Sequence, residues 1–118
     1  MTGSIRVADL STAPQTPEDV SLFVEDGKYV FRVNDAAIYT YDKDDVGRSN
    51  CDGECAKMWP PVVASSKARP VGDWTLIKRA DSSRQWAYKG KPIYTYSQDQ
   101  PGQEGGDGVH GVWHIVKP

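Results

Sequence analysis

No apolar run in this 118-residue chain approaches the about 18 residues that a membrane-crossing helix needs. Residues 1–16 lack the charged n-region and apolar h-region of a signal peptide, so that stretch alone suits a cytosolic protein or a mature segment. The net charge is −2 and no basic cluster stands out, which argues against a nucleic-acid partner, since neutralising phosphates takes grouped Lys and Arg. There is no Gly-x-Ser-x-Gly, no Gly-rich phosphate loop before a helix and no His-Glu-x-x-His, so no catalytic residues are expected. Cys and His each occur only twice, too few to define a zinc site by spacing. Asp42, Asp44 and Asp45 begin like a calcium loop, but Val46 and Gly53 stand where ligands are required.

What is present is a repeat rich in strand-forming residues. Residues 1–18 carry Pro14 and Pro17 among Ser and Thr and read as a flexible leader. A single β domain is expected over 19–118. Its first repeat, about 20–63, opens with two β-favouring runs joined by Asp26-Gly27, the strongest short hairpin signal. After the turn at Asn34-Asp35 a third strand is expected over Ala37–Tyr41. The second repeat, about 73–118, gives strands at Trp74–Arg79, Arg84–Tyr88 and Pro92–Tyr96. Ile38-Tyr39-Thr40-Tyr41 recurs as Ile93-Tyr94-Thr95-Tyr96 at an offset of 55 residues, and at the same offset Asp44 falls on Asp99. The fold class predicted is therefore all-β, mainly antiparallel, with two pseudo-symmetric three-strand meanders and one short helical turn. That turn is expected after Ser49 or Asn50, either of which suits an N-cap. The Gly-rich stretch 102–111 of the second repeat shows no helical pattern.

Two groups of residues are candidates for function. The first comprises Tyr39, Tyr41 and Asp44 with Tyr94, Tyr96 and Asp99. Alternate strand residues share a face, so each Tyr pair either packs structurally or offers a ligand surface of stacked rings. Each Asp, just past a strand end, can accept turn N–H groups or a Tyr hydroxyl. The second is Cys51 with Cys55. Four residues apart on a regular helix, their Cβ atoms stand about 5–6 Å apart, whereas a disulfide needs about 3.8 Å. A bridge therefore requires a distorted turn, which Gly53 permits. The alternatives are inert thiols, or a thiolate pair holding Cu(I) with His110 or His114 as third ligand.

The run from Ile38 to Asp44, then Gly47–Ala56, then Trp59-Pro60-Pro61-Val62, resembles the secreted-repeat family of predicted bacterial lipoproteins. Tyr94–Asp99, Gly106-Asp107-Gly108 and Gly111-Val112-Trp113 resemble it again. That family has a Tyr-x-(Phe/Trp/Tyr)-x-x-Asp signature and often occurs in tandem. The resemblance implies export to the bacterial cell envelope, in the periplasm or on the extracellular face. Family members are commonly lipid-anchored at an N-terminal Cys, which here would belong to a full-length precursor. An oxidising compartment favours a Cys51–Cys55 disulfide. The resemblance brings no activity with it. The reading that follows is a non-enzymatic envelope domain that binds a small ligand or an envelope protein through exposed aromatics and loops. The alternative is a copper-binding or thiol-redox protein centred on Cys51, Cys55 and His110. Any specific function is expected where the copies differ: the Cys-x-x-x-Cys turn and Trp-Pro-Pro of the first, and the Gly-rich loop with His110 of the second.

Overall fold

A computed structural model describes residues 13–118. Strands β1 (Ser21–Glu25) and β2 (Lys28–Val33) form an antiparallel hairpin with Glu25 opposite Lys28. Asp26 and Gly27 between them both have positive φ, 52° and 76°, the type I′ geometry that matches strand twist. Asn34 and Asp35 repeat that geometry at 50° and 66° and lead into β3 (Ala36–Ala37) beside β2. The second meander consists of β5 (Trp74–Lys78), β6 (Arg84–Tyr88) and β7 (Lys91–Pro92), again in sequential antiparallel order.

The third strand of each meander is shorter than the sequence suggests. In the first repeat it divides at Ile38, after which β4 (Tyr39–Tyr41) leaves β2 and pairs with β8 (Trp113–Ile115) near the C-terminus. In the second repeat the chain divides at Ile93, and Tyr94 and Thr95 pair with Pro60 and Pro61 of the first repeat. The switch occurs because Ile38 and Ile93, both fully buried, give their carbonyls to the opposite repeat's tail. Val116 N–H donates to Ile38 C=O at 2.9 Å, and Val62 N–H donates to Ile93 C=O at 3.1 Å. Each repeat thus lends its Trp-bearing tail to the other.

One core cluster mixes both repeats accordingly: Val20, Phe31, Ile38 and Val62 pack with Trp74, Trp86, Ile93 and Val116. Of the leader expected over 1–18, residues 1–12 lie outside the described residues. Within 13–18, Pro17 is buried and the Gln15 carbonyl accepts the Trp74 indole N–H at 2.8 Å. Just beyond, Asp19 accepts the Trp86 indole at 2.9 Å. Two buried Trp donors thus find partners in this approach segment, as buried polar groups must.

The helical turn is α1 (Glu54–Met58), and it starts later than the N-cap candidates imply: Gly53 precedes it, with φ 59°. Ser49 and Asn50 are occupied elsewhere, as the site geometry shows. The Gly-rich loop also departs from expectation, since Val109–Gly111 forms a single 3-10 turn. The backbone inverts at His110 in its centre, φ 52°.

Candidate functional site

At the junction of the repeats, the first tyrosines of the two signatures pair through their backbones. Tyr39 N–H donates to Tyr94 C=O at 2.8 Å, and Tyr94 N–H donates to Tyr39 C=O at 2.9 Å. Their side chains then run in opposite directions, and each reaches the other repeat's aspartate. The Tyr39 hydroxyl donates to Asp99 Oδ2 at 2.5 Å, and the Tyr94 hydroxyl donates to Asp44 Oδ2 at 2.7 Å. The second oxygen of each carboxylate holds its own loop: Asp44 Oδ1 accepts Asn50 N–H at 2.7 Å, and Asp99 Oδ1 accepts Gly105 N–H at 2.9 Å. Asn50 and Gly105 are themselves related by the offset of the repeat. Two residue types therefore close one crossed lock, made twice.

Both tyrosine rings are fully buried. Burial, the largest influence, holds both hydroxyls protonated well beyond the ordinary tyrosine range, and the neighbouring carboxylates push the same way. Burial also raises the Asp44 carboxyl above its usual value, against the opposing pull of Asn50 N–H and the Tyr94 hydroxyl.

The second tyrosines stack instead of bonding. Tyr41 lies on Trp113 with centroids 4.2 Å apart, Trp113 lies on Trp59 at 3.8 Å, and Trp59 lies on Tyr96 at 4.1 Å. The result is a column of four rings with the two Trp residues at its centre. Here too each Tyr rests on the Trp of the other repeat. Tyr39 and Tyr94 meet Trp59 and Trp113 edge-on, at 5.5 and 5.3 Å, a favoured aromatic geometry. The six signature residues are thus all engaged in joining the two repeats. Tyr41 and Tyr96, at the ends of the column, remain half-buried.

The copies differ around these shared parts. In the first repeat Ser49 Oγ meets the Tyr94 hydroxyl at 2.6 Å and accepts Cys51 N–H at 3.2 Å. In the second, Gly106 N–H donates to the Tyr39 hydroxyl at 3.2 Å. A side chain cannot replace it, because a Cβ there would stand 2.8 Å from the Trp59 ring and 2.9 Å from that of Tyr39. Cys51, which aligns with Gly106, is fully buried and bonded to Cys55. The disulfide forms because Cys51 precedes α1, so regular helical spacing never applies; the Cα atoms are 5.2 Å apart. Arg79, buried at the end of β5, anchors this loop. Its Nη2 donates to Cys51 C=O at 2.8 Å and to Asp52 at 3.1 Å. Its Nη1 donates to Ser49 at 3.1 Å and to Gln85 at 2.8 Å.

With both sulfurs bonded to each other, the thiolate pair required for copper is consumed, and His110 stands exposed in its loop. Among the described residues no three His, Cys, Asp or Glu side chains gather as a metal site would require. His114 Nε2 instead pairs with Asp42 Oδ2 at 2.7 Å, half-exposed. Sequence reasoning missed Ser49, Gly106, Arg79 and Gln85. Ser49 carried a polar signal that looked like an N-cap, and only the fold reveals its tyrosine partner.

A separate cleft of about 680 Å³ lies on the first-repeat side. Three chain segments form it: Glu18–Ser21, Val33–Ala36 and Pro61–Val63, with Thr95. Thr40, the counterpart of Thr95, lines a hollow of only about 110 Å³, so the large cleft has no twin of its size there.

Sheets paired by exchanged tails, with a signature satisfied only across the junction, define a tandem of interlocked β repeats. The chain belongs to the family described as a secreted repeat of unknown function, which it matches twice, over residues 23–63 and 75–117. The family description fits a location outside the cytoplasm. No curated protein and no solved structure matches the chain. No helix among the described residues is long and apolar enough to cross a membrane.

Proposed function

We propose that this chain is a non-catalytic binding module of the bacterial cell envelope, and that it engages its partner through the first-repeat cleft, not through the Tyr-Asp signature. The observation that carries this reading is the division of labour between the two regions. The signature side chains are spent on one another across the junction. The cleft is large and open, and the hollow at Thr40, the counterpart of its Thr95, is far smaller. Its volume lies within the about 300–1,000 Å³ usual for ligand sites, and its wall includes Pro61 and Val63 from a segment where the copies differ. The disulfide suits an oxidising compartment, the periplasm or the cell surface.

A photo-crosslinking amino acid placed at Val63, half-exposed in the cleft wall, tests this in living cells. A discrete crosslinked envelope partner or ligand is expected from Val63, with none from Lys57, an exposed position on α1. Equal labelling from both positions would overturn the reading.

A further inference from the structure

Resting on that assignment of the cleft, the geometry points to its occupant: we infer that it takes an extended, lysine- or arginine-bearing peptide segment of a partner protein, added as a strand beside Pro61–Val63. Two independent features support this, the state of that segment's backbone and the charge of the facing wall.

Among the described residues, 60–64 form an irregular strand that pairs along one edge. Val62 N–H donates to Ile93 C=O, Trp86 N–H to Val62 C=O, Ala64 N–H to Arg84 C=O and Thr95 N–H to Pro60 C=O. Val63 lies opposite Gln85, and Pro61 opposite Tyr94, between those bonds. By strand alternation the Pro61 carbonyl and both the N–H and C=O of Val63 point to the other edge. Among the described residues these three groups have no backbone partner. Pro61, Val62 and Val63 all line the cleft, so the open edge runs along it. Such an edge accepts an extended peptide through main-chain hydrogen bonds, with specificity read from alternate side chains.

The cleft wall carries Glu18, Asp19 and Asp35, and among the described residues no Lys, Arg or His lines it. None of the three carboxylates forms an ion pair with a described residue. Asp19 uses one oxygen on the Trp86 indole and keeps the other. Half-buried Val33 and the edge of buried Val62 line the same cleft. An added strand with basic residues at alternate positions would set its cations against the acidic wall. An acidic peptide would meet like charge on this wall and bind more weakly.

The test titrates a six-residue peptide of alternating Lys and Val into the isotope-labelled protein and follows amide shifts by NMR. Saturable shifts at Val63, Asp35 and Ala36 are expected. Binding should be about tenfold weaker for the Glu-Val peptide and should weaken as salt rises. Methylating alternate backbone nitrogens of the Lys-Val peptide should also reduce binding about tenfold, because added-strand pairing is lost. Glu18→Gln with Asp35→Asn should weaken Lys-Val binding and flatten its salt dependence. Val63→Pro removes the outward N–H donor of an exposed residue and should weaken Lys-Val binding, with an unchanged thermal melt as the check that it folds. Equal binding of both peptides, indifference to backbone methylation, or shifts centred elsewhere would overturn the inference. Should Val63 still crosslink a partner in cells while the Lys-Val peptide fails to bind, the cleft remains a binding site and the basic-strand occupant is rejected.

Discussion

The Tyr39 hydroxyl donates to Asp99 and accepts from Gly106, so Tyr39→Phe strands two polar groups at once. A loss of about 1–3 kcal/mol is expected in urea unfolding. The crossing itself is tested by a double-mutant cycle. Tyr39→Phe with Asp99→Ala should show a coupling of about 1 kcal/mol, whereas Tyr39→Phe with Asp44→Ala, which share no hydrogen bond, should be additive within about 0.5 kcal/mol. A coupling found with Asp44 and missing with Asp99 would reverse the assignment. Both first tyrosines keep their protons far above pH 10 when folded, while the unfolded chain ionises them near 10. The native state then holds more protons than the unfolded state, so stability falls as pH rises through 10 and beyond. Ultraviolet titration should show two of the six tyrosines ionising only as the protein unfolds. Ionisation of all six in the native protein near pH 10 would contradict the burial of Tyr39 and Tyr94. The identity of these residues was legible in the sequence, because spacing alone put an Asp three positions past each Tyr pair. Their partners were not, because strand periodicity fixes which face a residue takes and leaves open which chain segment lies across from it.

Among the elements, the hairpins were the most legible. Asp26-Gly27 and Asn34-Asp35 favour positive φ, and the structure places them there. The disulfide loop was legible in part: a Cys51–Cys55 bridge on a turn distorted at Gly53 was expected and is present, whereas the start of α1 after Cys51, which frees the pair from helical spacing, was not visible. This loop is held from two sides, by its own sulfurs and by Arg79. The closed loop is short, so Cys51→Ala with Cys55→Ala should cost about 2 kcal/mol or less from lost chain constraint, plus the packing of one buried sulfur. Far-ultraviolet circular dichroism should keep its strand signal, and exchange of the Asn50 and Cys51 amides should quicken. Collapse of the whole β signal would mean that the loop nucleates the fold. Arg79 was invisible as an anchor in the sequence, because a charged residue at a strand end normally points to water.

For the whole molecule, the exchanged tails decide what counts as a folding unit. Each three-strand meander lies within its own repeat, but the β4–β8 sheet and the pairing of residues 60–64 join the two, although the sequence offers two self-similar blocks. A chain severed in the connector at Lys67, which is exposed, should therefore behave as two interdependent halves. Each half alone should be unfolded by NMR, and the two mixed together should regain the intact spectrum. A half that folds alone as a monomer would refute the exchange. The cleft was hidden from the sequence in a different way: Trp-Pro-Pro marked one of its walls, but nothing in the chain showed that residues 18–21, 33–36 and Thr95 would gather around it. Trp59 and Trp113, one from each repeat, lie face to face at 3.8 Å with their planes 4° apart. Identical indole transitions at that range couple as an exciton pair, so a circular-dichroism couplet that vanishes on unfolding is the expected signature. The protein thus carries an intrinsic chiroptical reporter of the contact between its halves, readable without a label and extinguished when they part.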